Sequence, residues 1–362
     1  MFAKSLPSGR AGRLALHALL GTALLLAIAV AGHAMLWRWM SNSLEEGFAA
    51  WAAARRAQGW QVQYDPPQRG GWPFSATLTL PRFRLQGGAT TLPGGMEWQA
   101  EAMVLRITLP RLERLFVDLP GRHRLRLGGA EIPFAADRLR LDMPIERNVL
   151  PREATLVAKR LRLGTTAGAL ELRLAHLDIE TRITAIEGEP AVALHGVLTD
   201  VELPPGIAAA PAVATLGRTV RDVNLDLALT GPVPPGRQPA ARAEAWRDGG
   251  GTLEVRALAL RWGPASADAA ATLTLDEALQ PMGAGTLRLV GGEQVIEAAT
   301  AAGLVPPRTV VMARTMLRMM QRTPSEGGGP QLEVPVTLEE RMLTLARIPL
   351  MRLPEWRWHS TD

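Results

Sequence analysis

Between Leu14 and Leu36 the chain carries no formally charged residue and is dominated by Leu, Ala, Ile and Val. Roughly 20 such residues in a helix, at about 1.5 Å each, cross the hydrocarbon core of a bilayer. Lys4, Arg10 and Arg13 precede the run, and Trp37, Arg38 and Trp39 follow it. Basic residues stay on the cytoplasmic side and indole rings favour the headgroup layer. The pattern therefore predicts a retained, single-pass anchor in a bacterial inner membrane, with 1–13 cytoplasmic, 14–36 spanning, Trp37 and Trp39 as interface anchors, and the main domain periplasmic. The rival is a signal peptide cleaved after Ala29-Val30-Ala31, but its apolar run exceeds the length usual for one. A buried soluble helix would not need arginines on one flank and tryptophans on the other. His17 and His33 lie inside the run and, with no partner helices to build a proton path, read as neutral residues near the helix ends.

A chain of 362 residues, 47% hydrophobic, has enough apolar surface for one extended core or two smaller ones. Its net charge of +5 is small, and its arginines interleave with acids instead of forming a basic tract, which argues against nucleic acid. There are no cysteines, so disulfides, thiolate metal sites and cysteine nucleophiles are excluded. The phosphate-loop, nucleophile-elbow, zincin and dinucleotide motifs are all missing. His123, His176, His195 and His359 stand singly, and Asp137, Asp142, Asp226 and Asp276 fall on the polar phase of alternating segments. No catalytic residue, metal ligand or cofactor is expected.

After the apolar run, Leu44, Phe48, Trp51 and Ala52 keep helical spacing, so 37–59 reads as a juxtamembrane helical stalk ended by Gly59. Alternation of apolar and polar residues then takes over, as in Leu78 and Leu80; Val104, Ile107 and Leu109; Leu125 and Leu127; Leu139, Leu141 and Met143; and Val223, Leu225, Leu227 and Leu229. Leu170, Leu172 and Leu174 share one phase while Leu177, Ile179 and Ile183 share the other, predicting a bulge near His176. The fold class is mainly β (α+β): an N-terminal transmembrane helix, then an extended, curved antiparallel β-sheet or sandwich with a few covering helices. Pro- and Gly-rich stretches divide it into an N-terminal β-region at 60–202, a linker with a short helix at 203–217, and a C-terminal β-region at 218–362 with helices near 293–302 and 309–322. Two short strands over 332–338 and 342–346 close it.

Three features bear on partners. Arg122, Arg124 and Arg126 alternate with Leu125 and Leu127, presenting a guanidinium row that suits anionic headgroups or, equally, a solvated edge. Met312, Met316, Met319 and Met320 put a polarizable face on one helix, suited to variable apolar ligands or to plain packing. The alternation itself leaves an apolar sheet face that another sheet, a helix or acyl chains would fill with the same pattern.

Gly71-Trp72-Pro73-Phe74, then Trp98 with Ala100, and later Trp246, Gly249-Gly250, Leu258 to Pro264, Leu273 to Asp276, Gln280-Pro281-Met282-Gly283 and Pro349 to Trp356, resemble a bacterial family of unknown function, DUF2125. None of these motifs is catalytic; Gly-Trp-Pro-Phe makes a turn with two large apolar anchors and Trp-Gly-Pro ends a strand. The resemblance implies a membrane-anchored envelope protein and supplies no activity. Where a glycine is expected before the last apolar strand stands Glu339-Glu340-Arg341, leaving that hairpin's turn type open. In layout the chain is also similar to AsmA-like envelope lipid-handling proteins. The expected function is a non-enzymatic envelope protein offering an apolar groove to membrane lipid or a lipophilic partner. Alternatives are a scaffold with a packed core that binds envelope proteins, and a hydrolase with an unrecognised site.

Overall fold

The structure is a computed structural model, and it describes residues 9–88, 95–127, 130–146, 151–182, 184–207, 210–234, 238–301, 310–311, 314–315, 318–319, 321–322, 331–346, 348–356 and 358. One unbroken helix, α1 (Gly9–Ala57), opens the chain. It stops where Gly59 turns to φ +85°, a left-handed conformation that glycine adopts without steric cost, and the Trp60 N–H closes back on the Arg55 carbonyl at 3.0 Å. The first half of α1 is bare: Leu19, Leu25, Ile28 and Val30 are all exposed, and this part is long and apolar enough to cross a membrane. The second half is core. Met40, Leu44, Phe48 and Ala52, spaced by four, are buried, so the helical segment that continues the apolar run packs on the sheet.

Among the described residues all strand pairings are antiparallel and join into one sheet of 19 strands. Strands β1 (Gln61–Gln63) and β2 (Gln68–Gly70) lie along the outer edge of β3 (Ser75–Gly87), which pairs with β4 (Met96–Thr108). Next come β5 (Arg114–Asp118) and β6 (Arg122–Leu127), both along β4, and then β7 (Ala130–Ala135) and β8 (Arg138–Pro144), which run back beside them. From β9 (Glu153–Thr165) the sheet proceeds strand by strand through β10 (Gly168–Thr181), β11 (Pro190–Glu202), β12 (Thr219–Thr230), β13 (Leu253–Trp262), β14 (Ala265–Leu275) and β15 (Pro281–Val290). The short β16 (Gln321–Arg322) flanks β17 (Gln331–Glu339), which joins β15 to β18 (Met342–Leu345) and the edge strand β19 (Ile348–Arg352). Because β11 and β12 pair along their lengths, the sheet runs on without a break across the Pro-rich 203–217 segment.

The helices α2 (Pro211–Leu216), α3 (Pro239–Asp248) and α4 (Gly292–Ala301) are short. Of the helix expected at 309–322, residues 310–311, 314–315 and 318–319 are helical, whereas Gln321 and Arg322 belong to β16. The closing hairpin needs no glycine. Glu340 and Arg341 take φ +49° and +66° themselves, giving a two-residue turn of the mirror-image type whose twist matches the strands.

The alternation changes phase at a row of kinks. Leu172 and Ala175 share one apolar cluster although three residues apart, and Arg173 between them drops out of the pairing with both neighbours. The switch therefore lies at Arg173, not near His176, and leaves Leu174 on the face opposite Leu172. The same step occurs at Arg82, Arg160 and Asp200, each at φ +47°. Such kinks bend strands and add twist. Their exposed side chains pair with acids or arginines nearby, Arg82 with Asp65, Arg160 with Asp137, and Arg173 with Asp200 at 2.7 Å.

Candidate functional site: an uncovered apolar face

Because apolar residues hold one side of the sheet through each kink, that side is continuous. Leu119 packs into both the cluster under α1 and the next cluster along. Under α1 the face is sealed: Ala76, Leu78, Leu80 and Phe83 are at most 1% exposed. Beyond β9 the same face continues as columns of side chains across successive strands. One column runs Ile179, Leu194, Leu227, Val255, Ala271, Gly285, Val336 and Leu345, and every member is only half-buried. The neighbouring column includes Leu177, Leu225 and Leu258, the last 43% exposed. Gly196 lies between Leu177 and Leu225, and a Cβ there would come within 2.7 Å of the first and 2.8 Å of the second. The missing side chain lets the two leucines close over the strand.

Described helices hold only the rims. At one end Leu216 of α2 and Ala298 of α4 pack with Trp262 and Ala265, and the Trp262 indole donates to the Gly217 carbonyl at 2.8 Å. Gly263 is fixed there, since a Cβ would meet the Leu216 carbonyl at 2.3 Å. At the other end α3 lays Trp246 over Gly251, with its indole N–H on the Thr230 carbonyl at 2.9 Å. The C-terminal segment is tied on by Gln280, whose amide accepts from the Trp356 N–H at 2.9 Å and donates to the Trp356 carbonyl at 3.0 Å. No residue of α1 to α4 shares a described apolar cluster with the column from Ile179 to Leu345.

The predicted partner residues fall elsewhere. Arg122, Arg124 and Arg126 do share the outer face of β6, with His123 turned inward, and two of the three are engaged by acids. Arg126 pairs at 2.6 Å with Glu97, a carboxylate also held by Arg84 at 2.6 Å, and Arg124 pairs with Glu131 at 3.0 Å. These side chains surround a hollow of about 250 Å³. The Gln99 amide, then the two arginines, hold the Glu97 carboxyl below its ordinary range against the opposing effect of burial. Of the methionines, Met319 is 80% exposed, while Met312, Met316 and Met320 lie outside the described residues. Trp39 is exposed; Trp37 turns inward and donates to the Ser75 carbonyl at 3.0 Å.

Pairing also assembles what looked scattered in sequence. Asp178, His195 and Asp226 stand side by side on β10, β11 and β12. Asp178 accepts from Thr155 at 2.6 Å and contacts His176 at 2.9 Å, and His195 lies 3.4 Å from Asp226. All are on the solvated face, and among the described residues no group of His, Asp or Glu is arranged to hold a metal.

His123 is a buried titratable group on the apolar side. It is 3% exposed, stacked between Phe134 at 4.8 Å and Trp98 at 6.2 Å. Its Nε2–H donates to the Leu119 carbonyl at 3.1 Å, and its Nδ1 is buried without a partner. Burial pushes this imidazole below its ordinary range, with the Leu119 hydrogen bond and Glu101 opposing. Protons thus bind the unfolded chain first as pH falls. The neutral ring's stability contribution is whole above about pH 6.5 and is lost below it. Glu97, lowered as well, contributes fully above about pH 4.5 and loses that contribution only beneath it, so the two windows separate. Urea midpoints should fall between pH 7.5 and pH 5.5 in the native chain, and fall less in a His123→Phe variant; an equal fall in both would remove His123 from the account.

The family model described as an uncharacterized protein conserved in bacteria (DUF2125) matches residues 37–354. No curated protein matches the chain.

Proposed function

The chain belongs to the DUF2125 family of uncharacterized conserved bacterial proteins, and from that membership and its uncovered apolar face we propose a non-enzymatic, membrane-anchored envelope protein that holds lipid acyl chains against its sheet. The bare half of α1 lies in the inner membrane, with Lys4, Arg10 and Arg13 left in the cytoplasm and the sheet in the periplasm. The supporting observation is a contrast along one face: Ala76, Leu78, Leu80 and Phe83 are sealed under α1, whereas the column from Ile179 to Leu345 is only partly buried, with Leu258 beside it 43% exposed. An apolar strip many strands long is unfavourable in water at about 25 cal/mol per Å², and large contiguous patches of this kind mark binding surfaces. Acyl chains suit it because the described column is lined by aliphatic side chains of varied size.

A phospholipid carrying a photoactivatable group at its acyl terminus tests this in the full chain. Adducts should form on Leu225, Leu227, Val255 and Leu258 as well as on α1; adducts confined to α1 would remove the sheet from the reading. A second reading, a scaffold for other envelope proteins, draws on the exposed edge strand β19, where Leu350 and Met351 are more than half exposed, since an unpaired edge is a template for another chain.

A further inference from the structure

The family motif Gly71-Trp72-Pro73-Phe74 is not a packing anchor alone. Phe74 is 78% exposed and Trp72 is 50% exposed, although the turn carrying them is tightly made. Gly71 takes φ +91° and a Cβ on it would meet the Ser75 carbonyl at 2.7 Å. The Gly71 carbonyl accepts from the Ser75 N–H at 3.0 Å and from its hydroxyl at 3.1 Å. This turn is fastened to α1 at a defined height. His33 Nε2 donates to the Pro73 carbonyl at 2.7 Å, Trp37 reaches Ser75, and Trp72 sits edge-on to both rings at 4.9 and 5.9 Å. His33 therefore helps hold the turn against α1.

The height is informative. From Leu14 to His33 is about 30 Å of helix, the thickness of a hydrocarbon core. The turn stands beside α1 where the apolar run gives way to Trp37, Arg38 and Trp39. We propose that the Gly71–Ser75 turn is a second membrane contact: Phe74 and the open edge of Trp72 enter the interfacial layer of the leaflet from which α1 emerges. Together with the helix it fixes the height and tilt of the sheet over the bilayer. Aromatic rings are suited to that layer, and a single span without such a contact would leave α1 and the sheet packed on it free to tilt and turn together in the bilayer.

This rests on α1 spanning the bilayer, so the test reads both. The chain has no cysteine, which permits single spin labels at Phe74→Cys, Trp72→Cys, Ile28→Cys and, as a water-facing reference, Ile186→Cys, in full-length protein reconstituted into phosphatidylcholine–phosphatidylglycerol vesicles. Labels at 74 and 72 should be several-fold more protected from a water-soluble nickel chelate than the label at 186, and more accessible to oxygen. Protection at 28 with free collision at both 74 and 72 would overturn the second contact alone. Free collision at 28 would overturn the span and this contact with it. Thermal melting of each variant against Ile186→Cys confirms folding; Phe74, being exposed, should be replaced without loss, and Trp72 supplies an independent reading.

Discussion

Replacing Leu80 by Ala should destabilise the protein by about 3–5 kcal/mol, the range for leucines in sealed cores, whereas Leu227→Ala should cost about 1–2 kcal/mol. Both leucines occupy the apolar side of the same sheet. Leu80 is 0% exposed under α1, so truncation leaves a cavity that α1 and β4 cannot collapse into without losing other contacts. Leu227 is half-buried in an uncovered column, so water already meets part of it and fills the space on truncation. Equilibrium urea unfolding of the two variants in detergent measures the difference. Equal losses would mean that the column is as well covered as the core beneath α1.

A charged replacement separates the two regions further. Leu227→Asp combined with Val255→Asp puts two carboxylates on paired positions of β12 and β13. Hydrated on an open face they leave the fold standing, but beneath acyl chains each must shed water, and burying an unpaired charge is costly. Since about 1.4 kcal/mol is tenfold in affinity, retained lipid should drop about tenfold or more while the melting transition persists. Loss of the transition itself would indicate a packed core.

Much of the architecture can be read from residues alone. The apolar run with its basic and aromatic flanks announces α1, and alternation announces an antiparallel sheet. The phase switches were legible too, since the pairs Leu80 and Phe83, Leu172 and Ala175, and Leu198 and Val201 are each three apart around a charged or polar residue; reading Leu174 as in phase with Leu172 placed the switch too late. α3 is harder to read because Pro239 to Asp248 lies next to a Pro-rich stretch, though proline at its first turn and glycine after its last are helix punctuation. What periodicity cannot reveal is what lies on a face. Leu44 and Phe48 keep the same spacing on a stalk as in a core, and Leu78 and Leu227 alternate alike though one is sealed and the other open. Pairing between distant segments is equally hidden, which is why Glu97 under Arg84 and Arg126, or His195 beside Asp226, could not be found from spacing.

The most direct measurement is native mass spectrometry of the full-length protein released from mild detergent, compared with the Leu227→Asp/Val255→Asp variant. Phospholipid masses retained on the native chain and lost from the folded variant are the predicted result. A native chain that never carries lipid, or a folded variant that carries as much, would contradict the claim that the open face of the sheet is an acyl-chain surface.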